Sequence, residues 1–139
     1  MNTFDLSVLA AEKPFFNGKS TSVTVNTYDG ERGILANHSN AIFAIVPGMI
    51  KITTELNEVI VAAVSEGIIK IEGNSVLILV DTCELPEEID ANRALRSKEE
   101  AMEAMLQKKS IKDYYSAQAK MTRAISRLRV KNHRNINSD

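Results

Sequence analysis

The sequence is poor in the residue types on which several classes of protein depend. It has 139 residues, with 1 cysteine, 3 prolines, 6 glycines and no tryptophan. The single thiol, Cys83, cannot form a disulfide within the chain, which favours a reducing compartment. No apolar run approaches the roughly 18 residues of a membrane-spanning helix, and the start of the chain lacks the pattern of a signal peptide. We therefore expect a protein without direct membrane insertion.

The sequence also lacks the motifs that commonly carry catalysis or hold a metal. It contains no glycine-rich phosphate loop, no nucleophile elbow, and no cysteine or histidine pairs at metal-binding spacing. Its 2 histidines, His38 and His133, are far apart in the sequence. No acid–base pair with supporting geometry is visible either. The expectation is a chain that is neither an enzyme by itself nor a metal protein.

Charge is distributed unevenly along the chain, although the formal net charge is only -1. Residues 1–86 contain 5 Lys and Arg against 10 Asp and Glu, whereas residues 87–139 contain 12 against 8. An acidic first part and a basic second part indicate two bodies with different partners. We therefore predict two domains, covering residues 1–86 and 87–139.

The first 80 residues have the alternation of short β-strands. Apolar residues recur at every second position, as in Phe4, Leu6 and Val8, and β-branched residues dominate the later runs. Turn-forming pairs separate these runs: Asn17-Gly18, Asp29-Gly30, Pro47-Gly48 and Gly73-Asn74. Many short strands without intervening helices predict an antiparallel sandwich or barrel.

After residue 81 the pattern changes to that of helices. Pro86 and the two glutamates that follow it supply a helix start, and strong helix formers continue to Gln107. Residues 108–112 indicate a polar turn, and a second helix is predicted from about residue 113 to about residue 134. Two helices with a short connection predict an antiparallel hairpin.

The apolar faces of the two predicted helices are thin and rich in Ala and Met. The first contains Ile89, Leu95, Met102, Met105 and Leu106, and the second contains Tyr114, Ala117, Met121, Ile125 and Leu128. Helices of this kind owe most of their stability to tertiary packing, so the hairpin needs a surface to pack on. Two interpretations stay open: a permanently docked hairpin, or a switch that chooses between two surfaces.

The second predicted helix carries a line of basic residues. They lie three or four positions apart, which places them on one side of a helix: Lys120, Arg123, Arg127, Lys131 and Arg134. This basic stripe lies about 120° around the helix from the apolar face. It is a solvated face, a nucleic-acid patch, or a surface for a defined anionic partner. Nucleic acid is disfavoured because the chain as a whole is not basic.

Six segments, taken in order, resemble the epsilon subunits of F-type ATP synthases over about residues 3–131. They are residues 29–38 (DGERGILANH), 46–52 (VPGMIKI), 64–67 (VSEG), 76–82 (VLILVDT), 89–94 (IDANRA) and 127–130 (RLRV). The chain departs from the pattern of the family at Ala36 and Asn37, where Pro-Gly is usual, and at Asn40, where Pro is usual. Glu66 stands where the family has the first of two glycines.

The resemblance implies a ten-stranded antiparallel β-sandwich followed by a helical hairpin. The sandwich would bind the gamma subunit and the c-ring, with Glu31 and His38 in a loop that faces the c-ring. The hairpin would open towards the alpha and beta subunits, inhibit ATP hydrolysis through the basic stripe, and leave catalysis to the beta subunits. Such a subunit lies at the cytoplasmic face of the bacterial cell membrane as a peripheral rotor part, in a complex that makes ATP from ADP with an ion gradient.

Some members of this family bind ATP in the folded hairpin, so the resemblance also implies a regulatory ligand, although no cofactor is required. The matching positions are Glu84, Asp90, Arg93, Ala94, Arg123 and Arg127. Guanidinium groups suit phosphate oxygens, which makes the two arginines of the second helix reasonable contacts. The alternative is that Asp90 and Arg93 support the helix start while the other arginines are solvated. Two rival classes remain: a free-standing sandwich that binds a small ligand or peptide, and a nucleic-acid binder.

Overall fold

A computed structural model describes residues 2–107 and 111–137, with side chains described as far as His133. The contacts within the chain divide it into two compact units, and the division falls between Glu84 and Leu85. The first unit is built of strands and the second of helices.

The first unit contains nine strands in the described residues. They are β1 (Phe4–Ala10), β2 (Pro14–Thr27), β3 (Gly30–Leu35), β4 (Ala41–Ile45), β5 (Gly48–Thr54), β6 (Val59–Val64), β7 (Gly67–Glu72), β8 (Ser75–Val80) and β9 (Cys83–Glu84). β2 is the longest of them, with 14 residues.

β2 belongs to two groups of strands, because its neighbours change along its length. Its first half pairs with β1, and its second half pairs with β3 and with β5. The register shifts between Ser20 and Ser22, where the neighbours change. The first group is therefore β4, β7, β8, β1 and the first half of β2, and the second is β3, the second half of β2, β5, β6 and β9.

The sandwich predicted from the alternation is confirmed. If the two halves of β2 are counted separately, each group has five segments, which gives the predicted ten; because β2 is unbroken, the described residues contain nine strands. The prediction of a purely antiparallel arrangement is wrong at one place, since β1 and β8 are parallel. These two strands are far apart in the sequence, so no tight hairpin fixes their relative direction.

The buried side chains of both strand groups form one apolar cluster. In β1, Phe4, Leu6 and Val8 are buried and alternate with exposed or half-buried residues. Isoleucine and valine make up most of the rest of the cluster, as expected for β-branched side chains on a pleated surface. Complete burial of one such side chain is worth about 1.5–3 kcal/mol, so this cluster is the main source of stability of the first unit.

The turn signals were confirmed at two sharp turns and wrong at one position. Gly30, Gly73 and Asn74 have positive φ angles of 111°, 56° and 62°, at the turns after β2 and after β7. Asn17-Gly18, predicted as a turn, lies inside β2. A Cβ on Gly18 would lie 3.4 Å from the ring of Phe16, which is an ordinary van der Waals contact.

The second unit contains a short 3₁₀ turn (Pro86–Glu88) and two helices, α1 (Ala91–Gln107) and α2 (Ile111–Asn137). The prediction that the first helix starts at Pro86 is wrong by five residues. The 3₁₀ turn stops because Ile89 adopts an extended conformation, and the helix proper starts two residues later. Of the predicted polar turn at residues 108–112, residues 108–110 lie outside the described residues, and the last two belong to α2.

Alanines form the seam between the two helices. Ala94 and Ala101 are buried on α1, and Ala117 and Ala124 are buried on α2. Each pair is seven residues apart, which is two helical turns and therefore one face. The larger apolar residues predicted for the face of α1 lie mostly outside this seam: Leu95, Met102 and Leu106 are 44%, 46% and 79% exposed. Small side chains in the seam let the two backbones approach closely, and the larger ones remain at its margin.

Candidate functional site

An aspartate fixes the start of α1. Asp90 Oδ1 accepts a hydrogen bond from the backbone N–H of Arg93 at 3.0 Å, and the Asp90 carbonyl oxygen accepts one from that of Ala94 at 3.0 Å. This capping satisfies amide groups that lack partners at the start of a helix. Asp90 and Arg93 are exposed, whereas Ala94 is buried in the seam. Asp90 therefore caps the start of α1.

The described members of the basic stripe lie at the margin of the helix pair rather than fully in solvent. Lys120, Arg123, Arg127 and Lys131 are all half-buried. Lys120 Nζ lies 2.9 Å from Glu100 Oε2 on α1. Lys131 Nζ donates a hydrogen bond to the carbonyl oxygen of Pro86 at 3.0 Å. The side chain of Arg134, the last predicted member, lies outside the described residues.

The contacts of Lys120 and Lys131 fix the register of the hairpin, because they join the helix pair at two separated levels. In the antiparallel arrangement this register places Arg127 at about the level of Arg93, with Arg123 one turn nearer the connection between the helices. The structure thus brings four of the predicted ATP-binding residues to the same end of the hairpin as Asp90: Arg93, Ala94, Arg123 and Arg127. Glu84 ends β9 of the first unit, where it pairs with Ala63.

The ion pair at the other end of the hairpin changes the ionisation of Glu100. The hydrogen bond from Lys120 and the charge of that lysine lower the pKa of Glu100 below its usual 4.5; desolvation opposes this shift and Arg96 adds to it. The side chains of Lys120 and Glu100 are 43% and 65% exposed. Solvent and salt therefore screen the attraction between the two charges, and the pair contributes little to the stability of the hairpin.

A groove of about 350 Å³ lies between α1 and α2 on the side of the connection. Its walls include Glu100, Ala101, Ala117 and Lys120. The residues predicted to bind ATP do not line this groove, since they lie nearer the start of α1. In the described part of the chain, no group of three or more His, Cys, Asp or Glu side chains could hold a metal ion. No helix in the same residues is long and apolar enough to cross a membrane.

Glu31 and His38 were predicted to lie in one loop that faces the c-ring. The shared loop is wrong, and that the two residues face the c-ring stays a prediction. Glu31 lies inside β3, where it pairs with Asn26, and His38 follows the end of that strand. β3 continues through Leu35, so Glu31 lies near the start of this strand and His38 lies beyond its end. His38 instead packs edge-on against Phe43 with ring centroids 6.4 Å apart, and Arg32 lies 4.2 Å from the centroid of the same ring.

Asparagines hold the connection that follows β3. Asn37 has a positive φ of 63°, the conformation for which Gly is usual at this position in the family, and Asn is one of the few other residues that tolerates it. Its backbone N–H donates to Asn74 Oδ1 at 2.8 Å. Asn40 Oδ1 accepts from the backbone N–H of Gly73 at 3.1 Å. Asn40 therefore brings a side-chain acceptor to the neighbouring turn, whereas the bond of Asn37 uses a backbone N–H that glycine also has.

Comparison with known families decides the identity of the fold. The profile "ATP synthase, Delta/Epsilon chain, beta-sandwich domain" matches residues 3–86, and the profile "ATP synthase, Delta/Epsilon chain, long alpha-helix domain" matches residues 87–132. The chain belongs to the ATP synthase delta/epsilon chain family. The resemblance identified from the six sequence segments is confirmed.

Relatives within this family are similar over almost their full length. The ATP synthase epsilon chain of Ruminiclostridium cellulolyticum is 40% identical over 134 residues, which cover 96% of this chain and 99% of the relative. The ATP synthase epsilon chain of Caldicellulosiruptor saccharolyticus is 39% identical over 132 residues, covering 94% of each chain.

Solved structures of ATP synthases contain the same fold. A chain in the Euglena gracilis mitochondrial ATP synthase (OSCP/F1/c-ring, rotational state 1) has a TM-score of 0.79 at 18% identity, covering 97% of this chain and 82% of that one. A chain in the central stalk/c-ring structure of the Tetrahymena thermophila mitochondrial ATP synthase has a TM-score of 0.67 at 16% identity, covering 91% and 95%. At these identities the likeness establishes the fold.

The glycine that remains beside one departure from the delta/epsilon family pattern has a direct steric explanation. Of the two glycines usual in the family, this chain keeps Gly67 and has Glu66 in place of the other. A Cβ on Gly67 would collide with the carbonyl oxygen of Leu79 in β8, so no other residue fits there without a backbone shift. The retained glycine is the one that the packing of β7 on β8 requires.

The groups that contact the lysines of the basic stripe were not predicted from the sequence. Glu100 and the Pro86 carbonyl were not identified as contacts of Lys120 and Lys131. The acid could have been found by aligning the two predicted helices in antiparallel register and looking for opposite charges. A backbone carbonyl carries no such signal in the sequence.

Proposed function

We propose that this chain is a regulatory subunit in the rotor of an F-type ATP synthase and carries no catalysis of its own. The observation that carries the proposal is the match to both domains of the family, over 99% of a relative named ATP synthase epsilon chain. In this role the chain is peripheral, at the cytoplasmic face of the bacterial cell membrane. The beta subunits make ATP from ADP, and this chain helps to couple rotation to that reaction.

The strand unit is proposed to bind the gamma subunit and the c-ring. Its support is that the two solved neighbours come from assemblies that contain a c-ring, one of them described as a central stalk. A sandwich with a single continuous core is suited to this place, because it keeps its shape while neighbouring subunits turn with it.

Co-purification tests this assignment. The full chain with an affinity tag, recovered from solubilised membranes, is expected to bring the gamma subunit, the c-ring and the alpha and beta subunits, identified by mass. An unrelated sandwich protein with the same tag serves as the control. Recovery of the chain without a gamma subunit, with and without nucleotide, would show that the proposal is wrong.

The hairpin is proposed to restrain ATP hydrolysis when it opens. Two cations of the basic stripe, Lys120 and Lys131, are engaged within the closed hairpin and would become available to an acidic surface on the beta subunits after opening. Such an attraction between exposed charges is screened beyond about 8 Å at physiological ionic strength. Inhibition of hydrolysis is therefore expected to weaken as salt rises.

A zero-length cross-link between an amine and a carboxylate reports the closed state. A carbodiimide is expected to join Lys120 to Glu100, which lie 2.9 Å apart in the closed hairpin, and the linked peptide is identified by mass. In the assembled complex, the linked fraction is expected to hydrolyse ATP faster than the unlinked fraction. Glu100→Gln, which has no carboxylate to activate, is the matched control. Equal hydrolysis rates in both fractions would favour the permanently docked hairpin.

ATP is proposed to hold the hairpin closed by binding at the start of α1 and the facing part of α2. The support is the register that places Arg93, Arg123 and Arg127 at one end of the hairpin, next to the capped start of α1. A ligand shifts a conformational equilibrium only by its difference in affinity for the two states. ATP bridging the two helices binds the closed state alone, so falling ATP would release the hairpin.

Calorimetric titration of the isolated chain with ATP and Mg²⁺ tests this clamp. Binding is expected in the wild type and is expected to weaken by about ten-fold or more in Arg123→Ala and Arg127→Ala, since each removes a charge-assisted contact. Arg129→Ala is the matched control, because Arg129 is on the same helix but exposed on another side. The absence of heat at millimolar ATP, or an equal loss in all three variants, would contradict the clamp.

A further inference from the structure

Ser126, in the second half of α2, has a buried hydroxyl that makes no hydrogen bond to any described residue. The side chain is 7% exposed, and its Oγ atom has no partner within reach. A hydroxyl inside a helix normally bonds the carbonyl oxygen four residues earlier, as Thr122 Oγ1 does with the Gln118 carbonyl at 3.0 Å. Ser126 Oγ does not make such a bond to the backbone of the preceding turn. Its hydroxyl is a hydrogen-bonding group held out of water and without a partner.

The surroundings of Ser126 on α2 are strongly cationic. Arg123 is three residues before it and Arg127 directly follows it. At 100° per residue, the direction of Ser126 is about 60° from that of Arg123 and about 100° from that of Arg127. Val130, one turn further on, is completely buried. The hydroxyl therefore belongs to a partly dry side of the helix that borders two guanidinium groups.

This part of α2 lies beside the start of the helical unit. Lys131 Nζ reaches the Pro86 carbonyl oxygen at 3.0 Å, so the turns of α2 around Ser126 run next to the 3₁₀ turn and the capped start of α1. An anion placed between these elements would meet two guanidinium groups from α2 and would have a hydroxyl donor in the same two turns. Guanidinium and hydroxyl donors together match the oxygens of a phosphate chain.

We propose that Ser126 Oγ–H donates a hydrogen bond to a phosphate oxygen of the nucleoside triphosphate, as an additional ligand contact beside Arg123, on the side of Arg123 away from Arg127. The inference rests on the proposed binding of ATP to the closed hairpin. The bound nucleotide then supplies the hydrogen-bond partner that the hydroxyl lacks among the described residues. The inference also gives a role to a buried polar group at a position where alanine would suit the packing of a helix.

The strand unit supplies a control for this inference. Ser20 is also buried, at 0% exposure, and its Oγ has no partner among the described residues. It lies at the register shift of β2, where its strand neighbours are Phe4 and Thr54, far from any arginine pair in the sequence. A buried serine without a partner among the described residues is therefore present in both units, but of the two only Ser126 is bordered by a pair of arginines.

The test compares Ser126→Ala with Ser20→Ala in the full chain. Without nucleotide, both variants are expected to melt at or above the wild-type temperature, because each loses a hydroxyl that had no partner. With ATP and Mg²⁺, Ser126→Ala is expected to bind about ten-fold more weakly and to lose part of the rise in melting temperature. Ser20→Ala is expected to keep both. Inorganic triphosphate, titrated in the same way, is expected to show the same difference between the variants.

The outcomes separate this inference from the function on which it rests. If Ser126→Ala binds ATP as the wild type does while Arg127→Ala loses it, the hydroxyl is not a ligand and the inference is overturned, although the clamp stands. If Ser126→Ala weakens ATP but leaves triphosphate unchanged, the assignment to a phosphate oxygen is wrong. If the wild type binds neither compound, the clamp and the inference fail together.

Discussion

Large side chains hold the two sheets together, whereas small ones hold the two helices together. The sandwich core contains completely buried isoleucines and valines from both strand groups. The helix seam contains four alanines, and α1 leaves leucine and methionine side chains half in solvent. Because the hydrophobic contribution follows the apolar area removed from water, the seam contributes far less per residue than the core. The helix seam is therefore expected to separate under a smaller load than the sandwich core.

The largest expected effect is in the sandwich core. Ile50 is completely buried in β5, and its replacement in Ile50→Ala removes packed methyl groups and leaves a cavity. The free energy of unfolding is expected to fall by about 2–5 kcal/mol. Chemical denaturation followed by circular dichroism measures it. Ile42→Ala removes the same atoms from a side chain that is 66% exposed, and a similar loss there would contradict the contrast between core and surface.

A smaller effect is expected from overfilling the seam. Ala124 is 1% exposed, so Ala124→Leu forces extra volume between the helices and is expected to cost about 1–3 kcal/mol. The loss should be confined to the hairpin, because the sandwich has its own core. Hydrogen exchange by peptide is expected to speed up in α1 and α2 and to stay unchanged in the strands. Ala119→Leu, on the exposed side of the same helix, is the control and should change neither.

The cap at the start of α1 is expected to contribute about 1 kcal/mol to the stability of the helix. In Asp90→Ala, the backbone amide of Arg93 loses its acceptor, and the start of α1 is expected to fray at a cost of about 0.5–2 kcal/mol. Asp90→Asn keeps a capping oxygen and is expected to preserve the helix. If both variants lose helicity equally by circular dichroism, the carboxylate has a role other than capping.

The smallest effect is expected at the ion pair of Glu100 and Lys120. The pKa of Glu100 is lowered in the closed hairpin, so the pair stabilises closure above the ordinary value of 4.5 and loses that contribution as the pH falls below it. The wild type is expected to close slightly more than Glu100→Gln at pH 7 and equally at pH 3. Limited proteolysis of the hairpin at both pH values measures closure. A difference that persists at pH 3 or in high salt would show that the pair is not electrostatic.

The sequence was sufficient for most of the sandwich and for less of the hairpin. Alternation identified β1 because Phe4, Leu6 and Val8 all point into one core. It could not reveal that β2 continues through Asn17-Gly18, since an Asn-Gly pair inside a strand has the same sequence signature as an Asn-Gly pair in a turn. The helix seam was missed because hydrophobic pattern ranks Leu and Met above Ala, whereas close helix contact favours the smaller residue.

The candidate site was predictable in composition but not in contacts. The spacing of Lys120, Arg123, Arg127 and Lys131 placed them on one side of α2, and the structure agrees with this for the described residues. The contacts of Lys120 with α1 and of Lys131 with the 3₁₀ turn depend on how α2 is aligned with these elements, which the sequence of α2 alone does not show. The unpaired hydroxyl of Ser126 depended on a side-chain rotamer and on burial, which a helical wheel does not show.

The passage of β2 from one strand group to the other has a mechanical consequence. One continuous backbone serves as the edge of the first layer and as an inner strand of the second, with hydrogen-bonded neighbours on both stretches. Sliding one layer over the other would therefore stretch covalent bonds and break ladders in both layers, rather than only shifting side chains past each other. A sideways load on either layer is shared by both, which gives this small body a shear stiffness that apolar packing alone would not provide.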